Sequence, residues 1–183
     1  LAKATNRLTS LAAESLRAAG FEVVNASWFD TITIATPGRA SELIAGSADR
    51  GINLGRVDDG HVRIAFDETT TEEVIVRLLD AFGAAMAGSP HSDSMPIDLV
   101  RHSEFMTHPV FSLHRSEHSM LRYLRRLSDR DLALDRSMIP LGSCTMKLNA
   151  TTEMIPFTWP EFSSIHPYAP EDQVAGYLEL IDD

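Results

Sequence analysis

The sequence predicts an α+β domain over residues 1–86, followed by a linker at 87–97 and by a helix and an irregular arm within residues 98–183. Three observations lead to this fold class. Helical and strand-like hydrophobic periods alternate in the first 86 residues, serine, proline and glycine are frequent in the linker, and prolines recur after residue 155. Alternating periods of this kind are typical of an antiparallel sheet covered by helices on one face.

The first helix is predicted from apolar residues that recur at helical spacing between Leu8 and Ala19, with Gly20 at its C-cap. Residues 21–24 and 31–36 then predict two short strands. In the second of these, threonine and apolar residues alternate, as expected for a strand with one buried face.

A second helix and a hairpin are predicted next. Pro37 favours the first position of a helix, with Thr36 as its N-cap. Residues 51–54 and 61–66 flank an Asp-Asp-Gly turn and predict two further strands. Residues 70–73, Thr-Thr-Glu-Glu, resemble a capping box and predict the start of a third helix.

Composition restricts the classes of function. The formal net charge of −10 disfavours a general nucleic-acid-binding role. A single cysteine, Cys144, excludes an internal disulfide framework and suits a reducing cytoplasm. No apolar run approaches the ~20 residues that cross a bilayer, so we expect neither a nucleic acid nor a membrane as a partner.

Histidines are concentrated after the linker, at His102, His108, His114 and His118. The last two are four residues apart, which on a helix places them on one face, so a metal site is one interpretation. No His-Glu-x-x-His pattern and no nearby cysteine support it. Side-chain hydrogen bonding and loop packing are the favoured roles, and we predict no metal.

A basic helix is predicted to begin after Ser116 as its N-cap. Its apolar residues form a stripe that we expect to be buried: Met120, Leu121, Leu124 and Leu127. Its basic residues are Arg122, Arg125, Arg126 and Arg130. They indicate either contact with an acidic partner or a phosphate, or a solvent-exposed face paired with Asp129 and Asp131. The second interpretation is favoured, since exposed ion pairs usually contribute little.

Residues 138–149 carry the densest group of reactive side chains. Hydroxyls, a thiol, an amine and an amide follow a Pro-Leu-Gly turn and are bracketed by methionine, isoleucine and leucine. This mixture predicts a half-buried loop whose polar groups converge on a ligand. A buried turn whose hydroxyls only bond the backbone is the alternative that spacing leaves open.

The string Ile-Pro-Leu-Gly-Ser-Cys-Thr-Met-Lys-Leu-Asn at residues 139–149 resembles the glycine cleavage system P-protein, a pyridoxal-phosphate-dependent glycine decarboxylase. The resemblance extends to further segments, at residues 51–54, 66–70, 103–111, 153–162 and 166–170. Enzymes of this family are several times longer than 183 residues. We therefore expect a fragment spanning the junction of the family's two halves, an expectation that the lack of an initiator methionine also favours.

This resemblance implies an α/β family fold, the type I PLP-dependent transferase. It implies that residues 1–86 are the small domain closing the first half and that residues 98–183 begin the second, PLP-binding half. The implied cofactor is pyridoxal phosphate, and the implied partners are glycine, the lipoyl-bearing H-protein and a second copy of the full-length chain. The lysine that forms the Schiff base is expected beyond Asp183, so the isolated fragment is predicted to be inactive.

Five residues of the loop are assigned roles through the same resemblance. Ser143, Thr145, Lys147 and Asn149 are predicted to line the active site and to contact cofactor or substrate. Lys147 would complement the charge of the substrate carboxylate or of the cofactor phosphate. Cys144 is predicted to be a structural or redox-sensitive thiol, because no base lies beside it in the sequence.

The arm is predicted from prolines that break residues 154–170 into extended pieces. Its aromatic anchors, Phe157, Trp159, Phe162 and Tyr168, are expected to pack on another domain or subunit. From residue 170 on, a helix is expected, with Glu171 and Asp172 at its positive end.

Two other functions remain open at this point. One is a stand-alone α+β regulatory or interaction module without catalysis, because residues 1–86 contain neither a nucleotide-binding glycine pattern nor a metal-spaced cysteine pair. The other is a cysteine-dependent enzyme that uses Cys144 with one of the clustered histidines.

Overall fold

The computed structural model describes residues 1–87, 95–130 and 151–183. The chain divides into two units, Leu1–Arg101 and His102–Asp183. Most of the predicted linker lies outside the described residues, so its bounds and those of the predicted domains remain predictions. No helix in the described part of the chain is both long enough and apolar enough to cross a membrane.

The first unit is built around a four-stranded antiparallel sheet of order β1-β2-β4-β3. Its elements are α1 (Ala2–Ala18), β1 (Glu22–Val23), β2 (Thr31–Ala35), α2 (Ala40–Ala48), β3 (Gly55–Asp58), β4 (His61–Ala65), α3 (Glu72–Ala81) and a 3₁₀ helix (Ile97–Leu99). The predicted order of helix, two strands, helix, two strands and helix is therefore confirmed, as is the antiparallel sheet.

The central strands β2 and β4 place alternate side chains in the core. Ile32 pairs with Ile64 and Ile34 with Val62 across the ladder, and all four are buried. The core is completed by apolar side chains of the three helices, among them Leu11, Leu16, Leu43, Ile75, Leu78 and Leu79. This period-2 burial is what the sequence alternation predicts.

Gly20 ends α1, as predicted. The helix stops at Ala18, and Gly20 adopts φ +90°, a left-handed conformation that favours glycine. Its backbone N–H donates to the carbonyl of Arg17, and that of Phe21 donates to the carbonyl of Leu16. These bonds satisfy carbonyls at the helix end and turn the chain into β1.

The predicted start of α2 is wrong. Thr36 and Pro37 lie in a turn before the helix, and α2 begins only after Arg39. The cause is Gly38, whose φ of +67° interrupts helical geometry. The predicted strand at 51–54 is also displaced, because these residues leave α2 through a turn and pairing begins at Gly55.

The third helix begins one residue later than the predicted capping box. Its N-cap is Thr71, whose hydroxyl accepts a hydrogen bond from the N–H of Val74 over 3.4 Å. The position three residues after this cap is therefore Val74, not Glu73. Glu72 and Glu73 still occupy the first turn, where a negative charge is favourable.

The described residues of the second unit form short helices. They are α4 (Val110–Leu113), α5 (Glu117–Ser128), α6 (Thr151–Met154), α7 (Pro160–Ser163) and α8 (Ala175–Asp182), with 3₁₀ helices at Ile155–Thr158 and Glu171–Gln173. Ser116 caps α5 as predicted, accepting from the N–H of Ser119 over 3.3 Å. The expectation of a buried stripe on this helix is wrong: Leu121 and Leu124 are 57% and 52% exposed, and Met120 and Leu127 are exposed as well.

The prediction of an extended arm is wrong, because the arm folds into single helical turns. Pro156 is the second residue and Pro160 the first residue of two such turns. Proline is tolerated there because the N–H that it lacks would be unpaired in any case. Trp159, which precedes Pro160, does keep the extended ψ of 134° that the following ring imposes. Glu171 and Asp172 fall in the 3₁₀ turn that precedes α8.

Candidate functional site

All of the site residues predicted from the loop lie outside the described residues: Ser143, Cys144, Thr145, Lys147 and Asn149. Their assignment therefore stays a prediction. The other lysine of the sequence, Lys3, lies exposed in the first turn of α1. Covalent attachment of pyridoxal phosphate requires a lysine amine beside the cofactor. Lys3 lines neither of the two cavities described below.

Two of the histidines that follow the linker lie at one cavity. His114 and His118 line a concave surface of about 330 Å³ in the second unit. His102, in contrast, is exposed, and His108 accepts a backbone hydrogen bond from Val110 over 3.1 Å in its own turn. The structure thus places together only the pair that the sequence spacing singled out.

His114 is held in place by two contacts. Its ring stacks on that of Tyr123, with 4.2 Å between centroids and 12° between planes. Its Nδ1 lies 3.1 Å from the hydroxyl of Ser119. His114 does not belong to α5 but to the turn before it, and these contacts fold that turn back on the helix. The prediction that His114 and His118 share one helical face is therefore wrong. His114 lies in the preceding turn, and the turn brings it to the same cavity as His118.

The cavity wall is cationic and aromatic. In addition to His114, Ser119 and Tyr123, its lining residues are Ser116, His118, Arg122 and Arg126. The guanidinium carbon of Arg126 lies 5.3 Å from the centroid of the Tyr123 ring, within the range of a cation–π contact. Among the residues that the structure describes, neither an aspartate nor a glutamate lines the cavity.

The arginines of α5 separate into two groups. Arg125 pairs with Asp129, with its Nε 3.1 Å from Oδ1, which confirms part of the predicted solvent-exposed ion pairing. Asp131 lies outside the described residues. Arg122 and Arg126 form no ion pair with a carboxylate in the described ranges, and both line the cavity. The sequence analysis did not identify Ser119 and Tyr123 as cavity residues. These two residues are four apart on the helix, which places them beside the cationic residues of the same helix.

A second cavity, of about 380 Å³, lies near the C-terminal end of the described chain. It is mainly apolar, and its lining includes Phe162, Ile165, Val174, Tyr177 and Leu180. The rings of Phe162 and Tyr177 are 6.2 Å apart. His166 lies outside this lining and accepts from the N–H of Tyr168 over 3.0 Å, a local turn contact.

Another described histidine, His61, pairs with a carboxylate on a hairpin of the first unit. Nδ1 of His61 lies 2.8 Å from Oδ1 of Asp58, and that oxygen also accepts from the N–H of Gly60 over 2.7 Å. The hydrogen bond from His61, followed by that from Gly60, lowers the pKa of Asp58. The pair closes the turn between β3 and β4. Within the described ranges, no three histidine, cysteine or acidic side chains are grouped to hold a metal.

Comparison with known proteins covers the whole chain. Residues 1–82 match the family model described as glycine cleavage system P-protein. The chain is 53% identical over 186 residues to a glycine dehydrogenase (decarboxylating) of Stenotrophomonas maltophilia, 49% identical over 189 residues to that of Cupriavidus metallidurans and 51% identical over 187 residues to that of a Bradyrhizobium species. Each match covers 100% of this chain and 19% of the relative. The chain thus spans about a fifth of the length of these curated relatives.

Proposed function

We propose that this chain, which belongs to the glycine cleavage system P-protein family, is part of a glycine dehydrogenase (decarboxylating). The observation that carries the proposal is identity of about half of all residues over the entire chain to relatives of that name. The substrate that this activity implies is glycine. In the proposed whole protein, carbon dioxide is released and the aminomethyl group passes to the lipoyl arm of the H-protein.

The cofactor of the whole protein is proposed to be pyridoxal phosphate, which supplies an electron sink when a carboxylate leaves as CO₂. The proposed contribution of this chain is to position the reactants. Ser143 and Thr145 would donate to anionic oxygens, Lys147 would complement a negative charge, and Asn149 would orient the substrate by donating and accepting.

The isolated chain is proposed to be inactive. Its two lysines are Lys3, which is exposed in α1, and Lys147, to which we assign charge complementarity rather than attachment of the cofactor. The proposed organisation follows from the same family. Residues 1–86 would form the small domain of the first half, 87–97 the linker, and 98–183 the start of the PLP-binding half in a cytoplasmic homodimer.

Paired lysine substitutions test the site proposal in the longer protein. Lys147→Gln should raise the KM for glycine or weaken retention of pyridoxal phosphate by at least about tenfold, because the proposed positive charge opposite the substrate carboxylate or cofactor phosphate is lost. Lys3→Gln removes the same charge from an exposed helix position and should leave both quantities within about twofold. Equal behaviour of the two variants would contradict the assignment of Lys147 to the site.

A stand-alone interaction module is the second candidate function. It is favoured by the first unit, whose three helices and sheet enclose an apolar core of their own. If this alternative is right, the 183-residue chain should stay monomeric, unfold in one cooperative transition and bind a partner without further chain. The enzyme proposal expects instead that exposed apolar side chains of the second unit cause association or dye binding.

A further inference from the structure

We propose that the cavity at the start of α5 binds a small phosphate-bearing anion. The inference does not depend on decarboxylation of glycine, because it rests on side chains that the proposed reaction does not use. It starts from the charge of this surface. His118, Arg122 and Arg126 stand four residues apart along α5, so they share one face at intervals of about 6 Å.

Arg122 and Arg126 are like charges four residues apart, a spacing that destabilises a helix. On α5 the described carboxylate Asp129 pairs with Arg125, which does not line the cavity. The acidic residue Glu117 is likewise absent from the lining. The chain as a whole carries a net charge of −10, so a concave wall whose described residues include two arginines, two histidines and no carboxylate is distinct from the rest of the chain. An anion in the cavity would offset the repulsion.

The donors favour phosphate over a simple monovalent anion. Each guanidinium offers a planar pair of N–H groups that matches two phosphate oxygens. Ser116, which also lines the cavity, is the N-cap of α5, the end at which the helix dipole attracts negative charge, whereas Arg126 lies in the last turn of the same helix.

The shape of the cavity points to a small molecule rather than to a bare ion. Its volume of about 330 Å³ lies at the lower end of the range for small-molecule sites. The stacked rings of His114 and Tyr123 form one part of the wall, and the guanidinium of Arg126 lies against Tyr123. These contacts hold Arg126 beside the rings. One ligand could therefore place a phosphate group against the Arg126 guanidinium and an organic group against the aromatic rings.

Calorimetric titration of the full 183-residue chain with inorganic phosphate, at constant ionic strength, tests the proposal. We expect saturable binding at one site. The double variant Arg122→Gln, Arg126→Gln should weaken it by at least about tenfold, because two charge-assisted contacts are lost. Glutamine is a good helix former, so the circular dichroism of α5 should be retained.

Arg125→Gln is the matched control. It removes one positive charge from the adjacent position of the same helix, but from the arginine paired with Asp129. Phosphate affinity should then stay within about twofold of the unmodified chain, allowing for a weak long-range effect. If Arg125→Gln and the single variant Arg126→Gln weakened phosphate binding equally, the binding would depend on the overall positive charge of the helix and not on the cavity. That result would overturn the proposal.

Two further titrations separate the sources of negative charge. Acetate should bind at least about tenfold more weakly than phosphate, since it carries one charge and two oxygens. Poly-glutamate should compete with phosphate only at high concentration. Absence of saturable phosphate binding, acetate binding of equal strength, or tight binding of poly-glutamate without phosphate binding would each contradict a phosphate site.

Discussion

The indole nitrogen of Trp28 donates a hydrogen bond to the hydroxyl of Ser10 over 3.2 Å, inside the core of the first unit. Trp28 is 8% exposed and Ser10 1%. Trp28 lies in the connection between β1 and β2, whereas Ser10 belongs to α1. Asn6 adds a second link one turn earlier, where its side-chain amide donates to the carbonyl of Phe29 over 2.8 Å. The helix and the loop are therefore held together by polar contacts as well as by packing.

Ser10→Ala should lower the free energy of unfolding of the first unit by about 1–2 kcal/mol, because a buried indole N–H loses its acceptor. Ser47→Ala is the control: its hydroxyl is also buried but has no hydrogen-bond partner in the described structure. This second change should be neutral or stabilising. Denaturant unfolding followed by tryptophan fluorescence measures both, and equal destabilisation would contradict the role given to Ser10.

Two glycines should respond to alanine in opposite directions. At Gly20, with φ +90°, a Cβ meets no atom within 4 Å, so the cost is conformational and about 1 kcal/mol. Gly46 lies inside α2, where alanine is favoured over glycine by about 0.5–1 kcal/mol. Thermal unfolding should therefore show Gly20→Ala below and Gly46→Ala above the unmodified chain. The same sign for both would contradict the backbone conformations described.

The helices and strands of the first unit follow from local sequence, but some of their ends do not. Alternation at residues 31–35 and 61–65 identifies the central strands because one face of each is buried. The start of α2 depends on the φ of Gly38, a conformation that glycine permits but does not require. Thr70 and Thr71 are both suitable caps, but the hydroxyl of Thr70 bonds Asp67 in the preceding turn, and Thr71 caps the helix.

The burial of the second unit could not be predicted in the same way. An amphipathic pattern such as that of α5 indicates which face is apolar, but it does not indicate which part of a longer protein covers that face. Leu121 and Leu124 are consequently exposed although their spacing is that of a core helix. The cavity beside His114 was also not predicted, because a stacking contact with Tyr123 draws the preceding turn back onto α5.

The stability of the first unit should decrease in acid partly through Asp67. Hydrogen bonds from the hydroxyl and N–H groups of Thr69 and Thr70 lower the pKa of this carboxyl, that from the Thr69 hydroxyl having the largest effect. Since the pKa is lower in the folded than in the unfolded chain, the stabilisation is present above the unfolded value of about 3.9 and is lost as the pH falls through the folded value.

Asp67→Asn should therefore reduce stability at neutral pH and flatten its decline below about pH 4. Thr69→Val, which removes the hydroxyl donor over 2.7 Å, should act in the same direction but less strongly. Urea unfolding between pH 2.5 and 7 measures the effect. A pH profile of Asp67→Asn parallel to that of the unmodified chain would contradict it.

The exposed apolar side chains of the second unit should make the 183-residue chain bind a hydrophobic dye. Phe157 is 65% exposed, and Leu121 and Leu124 on α5 are exposed to a similar degree. Leu121→Gln combined with Leu124→Gln should lower dye fluorescence while leaving unfolding of the first unit unchanged. As a control, Val76→Gln replaces an exposed apolar residue on α3 of the other unit and should leave most of the dye signal. An equal loss of dye fluorescence in both variants would contradict the assignment of dye binding to the second unit.

Release of labelled CO₂ from carboxyl-labelled glycine tests directly whether this chain is an inactive part of a glycine-decarboxylating enzyme. The assay compares the 183-residue chain with the longer protein that contains it, each supplied with pyridoxal phosphate and lipoylated H-protein. We expect glycine-dependent release of labelled CO₂ by the longer protein and none by the 183-residue chain. Release by the 183-residue chain, or its absence from a folded longer protein that retains the cofactor, would contradict it.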